Sequence, residues 1–210
     1  MKREQLAVYF IMGTQNVRER EPLAVLEEAL QAGATIFQFR EKGSGSLIGE
    51  EYVRFARDCQ AMCKKYNVPF IVNDDANLAV MLQADGVHIG QDDEKARKVR
   101  EKMSDGILGI SAHTMGEVEQ AVKHGADYVG IGPVFHTKSK ADAKEPIGTD
   151  LLNQVVKRFP GLPVVAIGGI TEENVHVPLR TGVDGIAVIS AICESKDIDR
   201  TVQQLKNRDL

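Results

Sequence analysis

The sequence contains few cysteines and no long apolar segment. Its cysteines, Cys59, Cys63 and Cys193, show no Cys-x-x-Cys spacing, so they indicate neither a disulfide framework nor a zinc site. Cys59 and Cys63 lie four residues apart in a helical pattern, and we expect a reduced pair that faces the core. No segment approaches the roughly 18 consecutive apolar residues of a membrane span.

The sequence also lacks a block of charge of one sign. Its 210 residues include 26 Lys and Arg against 30 Asp and Glu, a net charge of −4, and no basic stretch could follow a nucleic-acid backbone. The first ten residues, MKREQLAVYF, pass from charges directly into a strand-like run without the features of a secretory leader. We therefore expect a cytoplasmic protein with small-molecule partners, without a nucleic-acid or membrane partner, and with a homo-oligomer left open.

What the sequence does contain is a series of short apolar runs that alternate with amphipathic segments. The runs are typical of strands, and they cover residues 7–13, 35–41, 69–74, 86–90, 107–113, 127–134, 163–170 and 185–190. The stretches between them have helical spacing, which indicates an α/β protein with a parallel sheet covered by helices. Eight such units close naturally into a (β/α)8 TIM barrel, which we predict as a single domain over residues 1–210. A doubly wound open sheet is the alternative, but no strand is followed by Gly-x-Gly-x-x-Gly.

Cationic and hydroxyl side chains follow several of these runs, and the active site of a barrel lies at the carboxyl ends of its strands. In the run QFREK, alternation along a strand puts Gln38, Arg40 and Lys42 on one face. Other donors at predicted strand ends are Ser111, Thr137, Ser139 and Lys140. Together they predict a phosphate or diphosphate site, whereas Lys138 is expected to be a solvated loop charge.

Two acidic pairs, in VNDD and QDD, lie beside this cationic group. Mg²⁺ prefers one or two carboxylates together with phosphate oxygens and water. A magnesium ion would therefore explain why acidic residues lie beside the cationic residues of a phosphate site. Asp75 and Asp92 each directly precede a helical pattern and can serve as N-caps. Asp74 and Asp93 are therefore the candidate metal ligands.

The last two predicted strands end in AIGGI and AVISAI. Loops after these strands commonly bind a phosphate in barrels through backbone N–H groups, which predicts a second phosphate site. No nucleophile with its base is evident, because His88, Ser111 and His113 lie on separate strands. We expect the histidines to be structural hydrogen-bonding residues.

Taken together, the strand-end motifs resemble those of the thiamine phosphate synthase family. The motifs are YFIMGT, QFREK, PFIVNDD, DGVHIGQDD, GISAHT, DYVGIGPVFHTKSK, PVVAIGGI and GVDGIAVISAI, in this order between about residues 8 and 192. That family is a (β/α)8 barrel that joins a pyrimidine diphosphate to a thiazole phosphate and releases pyrophosphate. The resemblance implies a transferase in which diphosphate leaves a carbocation-like pyrimidine methylene and the thiazole nitrogen captures it.

The resemblance also implies roles for individual residues. The residues implied to be catalytic are Arg40, Lys42, Ser111 and Lys140. The pyrimidine diphosphate would be bound by Gln38, Phe39, Arg40, Glu41, Lys42, Asn73, Ser111 and Lys140. The thiazole phosphate would be bound by Thr137, Ser139, Gly169, Ile189 and Ser190. Asp74 and Asp93 would hold Mg²⁺, the expected cofactor. Ser139 stands where the family more often has threonine, and it retains the hydroxyl.

Two other functions remain open at this point. A thiazole tautomerase of the related group would isomerise a thiazole phosphate with a histidine as proton carrier, but it would have no use for QFREK and VNDD. A non-catalytic barrel that binds a phosphate ligand is the second alternative, because a fold does not determine a function.

Overall fold

A computed structural model describes residues 1–17, 19–91, 93–137, 139 and 144–207, with residues 93–95 described in their backbone only. Within these residues the strands are β1 (Val8–Met12), β2 (Ile36–Phe39), β3 (Phe70–Asn73), β4 (Gly86–Ile89), β5 (Ile107–Ala112), β6 (Tyr128–Ile131), β7 (Val164–Ile167) and β8 (Gly185–Val188). Each strand pairs in parallel with the next, and β8 pairs with β1, so the sheet closes into an eight-stranded barrel. The predicted (β/α)8 barrel is confirmed, and the alternative of an open sheet is excluded.

Helices connect successive strands on the outside of the barrel. They are α1 (Pro22–Gln31), α2 (Gly49–Lys65), α3 (Ala76–Leu82), α4 (Asp93–Lys102), α5 (Met115–Lys123), α6 (Asp150–Arg158), α7 (His176–Leu179), α8 (Ser190–Cys193) and α9 (Ile198–Lys206). Two short 3-10 helices, at Arg3–Leu6 and Thr14–Asn16, flank β1. No helix in the described ranges is long and apolar enough to cross a membrane.

Helix α5 illustrates how the local sequence sets an element's bounds. The Thr114 hydroxyl accepts from the Glu117 backbone N–H at 3.2 Å, and the Glu117 carboxylate accepts from the Thr114 N–H at 3.2 Å. This capping box satisfies two N–H groups that the first turn leaves unpaired. After the helix ends, Gly125 has a φ of +69°, the left-handed conformation that glycine adopts most easily.

The strands are shorter than the predicted runs, most clearly in β6 and β7. β6 ends at Ile131 and β7 at Ile167, each three residues before the end of its apolar run. Pro133 has no N–H to donate to a ladder, and Gly168 has a φ of +99° that takes the chain out of extended geometry. These residues therefore belong to the loops at the carboxyl ends of the strands, where the cavity lies.

The core fills both the barrel interior and the layer between barrel and helices. Cys59 and Cys63 on α2 are fully buried, and neither forms a disulfide bond. The prediction of two reduced cysteines that face the core is confirmed. Burial raises the pKa of both thiols above the usual range, which keeps them protonated. The two cysteines are thus packing residues of the outer layer.

Candidate active site

A cavity of about 460 Å³ opens at the carboxyl ends of the strands. Residues at or just beyond the ends of β2 to β8 line it. The predicted site residues among them are Arg40, Lys42, Asn73, Asp74, Ser111, Thr137, Ser139, Gly169, Ile189 and Ser190. The closed barrel thus brings together residues that are up to 150 positions apart in the sequence, as expected where parallel strands end at a common rim.

The cationic side of the cavity follows β2. The backbone N–H of Arg40 still donates to the Met12 carbonyl at 2.9 Å, so the residue stays attached to the sheet just beyond the strand. Its side chain lines the cavity while the residue is only 8% exposed. Lys42 is more open, with its Nζ 3.4 Å from Asp74 Oδ2. A nearly buried arginine and a more exposed lysine therefore share this side of the cavity.

The first acidic pair separates into two different environments. Asp74 has a φ of +61°, its N–H donates to the His88 carbonyl at 2.9 Å, and its Oδ2 accepts from Asn73 Nδ2 at 3.0 Å. The side chain lines the cavity. Asp75 instead accepts from the Leu78 N–H at 2.9 Å, so its predicted role as the N-cap of α3 is confirmed.

The metal ligands remain predictions. Across the described residues, no group of three or more His, Cys, Asp or Glu side chains is placed to hold a metal ion by itself. Asp74 is one cavity-lining carboxylate, which is the kind of donor that Mg²⁺ takes together with phosphate oxygens. The predicted partner Asp93 begins α4 directly after β4, but its side chain lies outside the described residues, as does Asp92.

The loop after β6 meets the loop after β8 through hydroxyl groups. Ser139 Oγ donates to Ser190 Oγ at 3.1 Å, and the Ser139 N–H donates to Thr137 Oγ1 at 3.2 Å. Three hydroxyls predicted to bind the second phosphate are therefore neighbours. Lys138 and Lys140, which belong to the same loop, lie outside the described residues.

Gly169 allows the backbone after β7 to approach this loop closely. Its φ is +65°, and a Cβ at this position would lie 2.4 Å from the His136 carbonyl oxygen. Any larger residue would push the β7 loop away from the β6 loop. Gly168, Gly169 and Ile189 line the cavity beside Ser190, which agrees with the predicted position of a second anion site.

Two predicted substrate-binding residues have side chains that lie away from the cavity lining. Phe39 points to the outer layer, where its ring centroid lies 5.4 Å from that of Tyr52. Glu41 accepts from the Thr14 and Leu47 backbone N–H groups at 2.7 and 2.9 Å. Alternation along β2 places Phe39 on the opposite face from Gln38, whereas Glu41 lies beyond the strand and is held by these backbone N–H groups. Their side chains support the site through packing and loop contacts.

Gln38 lies beneath the cavity, at one end of a buried chain of hydrogen bonds. Its Nε2 donates to Tyr9 Oη at 2.8 Å, and Tyr9 Oη is 2.7 Å from Tyr128 Oη. His88 Nδ1 is 2.9 Å from Tyr128 Oη, and His88 Nε2 is 2.9 Å from Ser111 Oγ. Burial raises the pKa of both tyrosines, so their hydroxyls stay protonated. The expectation that His88 is a hydrogen-bonding residue is confirmed.

Gly109 makes room for the centre of this chain. A Cβ on Gly109 would lie 2.1 Å from Tyr128 Cζ and 2.5 Å from His88 Nδ1. Both atoms belong to rings packed inside the barrel, which cannot move aside without disturbing their neighbours. The absence of a side chain at residue 109 is thus required for the contact between Tyr128 and His88.

The variant Gly109→Ala is expected to lower the free energy of unfolding by about 1 to 3 kcal/mol, because the added methyl group overpacks the barrel interior. Chemical denaturation measures the change. Gly116→Ala is the matched control: a Cβ at residue 116 meets nothing within 4 Å, and alanine favours the helix. Equal stability of the two variants would contradict the packing described here.

Sequence reasoning missed three residues of this region. Tyr9 and Tyr128 lie within the apolar runs 7–13 and 127–134, although a buried tyrosine hydroxyl needs a partner. Lys144 lines the cavity with its Nζ 3.6 Å from Glu117 Oε1.

Burial alone would raise the pKa of Glu117, but the His113 N–H and the charges of His113 and Lys144 lower it overall.

The chain is similar to several proteins in sequence and in structure. The profile of a family described as thiamine monophosphate synthase matches residues 8–192. A thiamine-phosphate synthase of Lysinibacillus sphaericus (strain C3-41) is 58% identical over 207 residues, which are 99% of this chain and 97% of that protein. One from Bacillus cereus (strain B4264) is 54% identical over 200 residues, 95% of this chain and 91% of that protein. The solved structure of a thiamine phosphate pyrophosphorylase from Pyrococcus furiosus has a TM-score of 0.84 and 34% identity, covering 97% of this chain and 95% of that one.

Proposed function

Because the chain belongs to the thiamine monophosphate synthase family, we propose that its cavity joins a pyrimidine diphosphate to a thiazole phosphate and releases pyrophosphate. The family assignment makes the protein a transferase of thiamine biosynthesis. The observation that carries the proposal is the meeting of Arg40 and Asp74 in one cavity. A cation and a carboxylate that line the same cavity suit a polyphosphate that is bound partly by the protein and partly through a divalent ion.

The diphosphate binds on the side formed by β2, β3 and β5. Arg40 offers a planar fork of N–H donors that matches two phosphate oxygens, and Lys42 adds a positive charge that can follow the leaving group. Asn73 at the end of β3 and Ser111 in β5 contribute neutral donors. The predicted Lys140 would add a further cation from the β6 loop. Each of these groups binds the diphosphate more strongly as negative charge develops on it.

Asp74 and Asp93 are the residues that would hold Mg²⁺. Asp74 directly follows β3, and residue 93 begins the helix that follows β4, the strand next to β3 in the barrel. When bound, Mg²⁺ neutralises charge on the diphosphate oxygens. The Lys42 ammonium lies 3.4 Å from Asp74 Oδ2, so both charges are on the side where the diphosphate is proposed to bind.

The thiazole phosphate binds on the side formed by β6, β7 and β8. In an eight-stranded barrel β6 lies opposite β2, so the two phosphate groups are kept apart and the reacting rings meet between them. Thr137, Ser139 and Ser190 donate hydroxyl groups, and the Gly168–Gly169 turn brings backbone N–H groups to the same region.

The reaction needs no protein nucleophile. The bond between the pyrimidine methylene carbon and the diphosphate oxygen breaks, and its electron pair leaves with the diphosphate. The lone pair of the thiazole nitrogen then forms the new carbon–nitrogen bond. The protein lowers the barrier by positioning both rings and by stabilising the departing charge. Arg40, Lys42 and Ser111 act on the leaving group, and Lys140 is proposed to do the same.

The proposed reaction is tested by incubating the protein with both phosphorylated substrates and Mg²⁺. Thiamine phosphate and pyrophosphate are expected in equal amounts, since one diphosphate is released for each bond formed. Chromatography of the thiamine product and an enzymatic pyrophosphate assay measure the two yields. Loss of a thiazole proton to solvent without the pyrimidine substrate would favour the tautomerase instead, and binding without turnover would favour a non-catalytic phosphate-binding barrel.

The closure of all eight strands into one barrel supports a single domain over residues 1–210, which we propose as the functional unit. The cytoplasmic location and the possible homo-oligomer that the sequence suggested remain predictions.

A further inference from the structure

Five polar side chains form a continuous series of hydrogen bonds through the barrel interior, and the proposed function uses only Ser111 at one end of it. We call it the polar chain: Gln38, Tyr9, Tyr128, His88 and Ser111, in the order of their contacts. Gln38, Tyr9 and Tyr128 are at most 1% exposed, whereas Ser111 lines the cavity. The polar chain therefore connects the buried interior of the barrel to the cavity surface that the diphosphate would contact.

The first bond sets the direction of the others. Gln38 donates its amide hydrogen to Tyr9 Oη, and within the described residues the next polar atom in hydrogen-bond distance of Tyr9 Oη is Tyr128 Oη. A buried hydroxyl hydrogen without an acceptor is costly. Tyr9 therefore donates to Tyr128, and Tyr128 in turn donates to His88 Nδ1.

This direction determines which nitrogen of His88 carries the hydrogen. Nδ1 accepts from Tyr128, so it is unprotonated, and a neutral imidazole then has its hydrogen on Nε2. His88 Nε2, at 2.9 Å from Ser111 Oγ, donates to that oxygen. The hydroxyl hydrogen of Ser111 is left to point into the cavity.

We propose that the polar chain fixes His88 as its Nε2–H tautomer and thereby holds Ser111 as a hydrogen-bond donor to the leaving diphosphate. Tyr9, Tyr128 and His88 are positioning residues, because they act through Ser111. The inference rests on the proposed function for the identity of the ligand, but the direction of the polar chain is a property of the protein alone.

The reverse direction would give Ser111 the wrong polarity. If Gln38 accepted a hydrogen from Tyr9, every later bond would reverse, and His88 Nε2 would accept from the Ser111 hydroxyl. Ser111 would then present lone pairs to an anionic ligand, which repels them. The tautomer of His88 thus distinguishes a site prepared for an anion from one that is not.

Nitrogen-15 NMR of the ligand-free protein reads this tautomer directly, because protonated and unprotonated ring nitrogens have well-separated shifts. The protein contains five histidines, and comparison with His88→Gln assigns the signals of His88. The expected result is a protonated Nε2 and an unprotonated Nδ1. A protonated Nδ1 with an unprotonated Nε2 would overturn the inference.

The variant Tyr128→Phe tests whether the polar chain fixes the tautomer. It removes the donor that keeps His88 Nδ1 unprotonated, so a mixture of the two tautomers is expected. Tyr66→Phe is the matched control, since that hydroxyl contacts Gln31 and Glu27 on the outer helices. An Nε2–H tautomer that persists unmixed in the folded Tyr128→Phe variant would overturn the proposal. If Tyr128→Phe does not fold, the tautomer of the unaltered protein decides the question.

Steady-state kinetics provide a second test, because a purely structural role would not change kcat separately from KM. Tyr128→Phe is expected to lower kcat about fivefold and to change KM for the pyrimidine diphosphate less than about twofold, because Ser111 stabilises charge that develops on the leaving group. Equal changes in kcat and in the fraction of folded protein would contradict this role. A wild-type protein without synthase activity would refute the proposed function, while the tautomer measurement would still decide the direction of the chain.

Discussion

Arg40→Ala is expected to lower kcat/KM by about a hundredfold or more, which corresponds to about 2.7 kcal/mol of lost transition-state stabilisation. The Arg40 backbone is tied to β1 and its side chain is almost entirely enclosed, so the guanidinium is prepared for its ligand without further ordering. A donor fixed in this way is most effective where charge develops during the reaction. Steady-state kinetics with both substrates measure the effect.

Two further variants show whether the loss in Arg40→Ala comes from the shape of the guanidinium, from its charge or from a general effect of removing an arginine. Arg40→Lys keeps the charge but loses the planar fork, so it is expected to recover only part of the lost activity. Arg158→Ala removes an exposed arginine that pairs with Glu119 at the end of α6, and it should leave kcat/KM unchanged. Small and equal effects of the two alanine substitutions would contradict the role of Arg40 in diphosphate binding.

The strand ends were predictable from the sequence because periodicity and position both carry information there. Once the apolar runs were recognised as parallel strands, Arg40, Asn73 and Ser111 had to reach a common rim. The separation of Asp74 from Asp75 was also predictable, since an N-cap must directly precede its helix. In both cases the conclusion needs only local sequence and the closure of the barrel.

The interior of the barrel was harder to predict, because contacts across it depend on strand tilt and side-chain length. Gln38 shares a face with Arg40, yet it lies one layer lower and bonds to Tyr9 instead of lining the cavity. The contact between Tyr9 and Tyr128 joins residues 119 positions apart, and a single sequence contains no signal for such a pair. Gly109 looks like any strand glycine until the space beside it is known.

The positions of loop residues were hard to predict for a different reason. Lys144 reaches the cavity from the long connection between β6 and α6, and no periodicity operates in such a connection. Glu41 looked like a neighbour of the cationic residues, but backbone N–H groups of two loops attract its carboxylate. Hydrogen bonds to loop backbone groups thus determine where the Glu41 side chain lies, and alternation along a strand does not predict such bonds.

Asp74→Asn is expected to lower turnover about a hundredfold at ordinary Mg²⁺ concentrations and to raise the Mg²⁺ concentration needed for half-maximal activity, because a neutral amide binds a hard dication poorly. The backbone should not change, since asparagine tolerates the left-handed φ of +61° at this residue. Turnover measured against Mg²⁺ concentration, together with the denaturation midpoint, separates a metal defect from a folding defect.

The neighbouring residue provides the matched control for this experiment. Asp75 caps α3 through the Leu78 N–H, and asparagine caps a helix about as well as aspartate, so Asp75→Asn should keep near-normal activity, Mg²⁺ dependence and stability. Asp75→Ala should cost about 1 kcal/mol of stability without changing the Mg²⁺ dependence. If the Mg²⁺ defect appeared in Asp75→Asn and not in Asp74→Asn, the metal-binding carboxylate would belong to residue 75, and the turn after β3 would have to present the opposite face of the chain to the cavity.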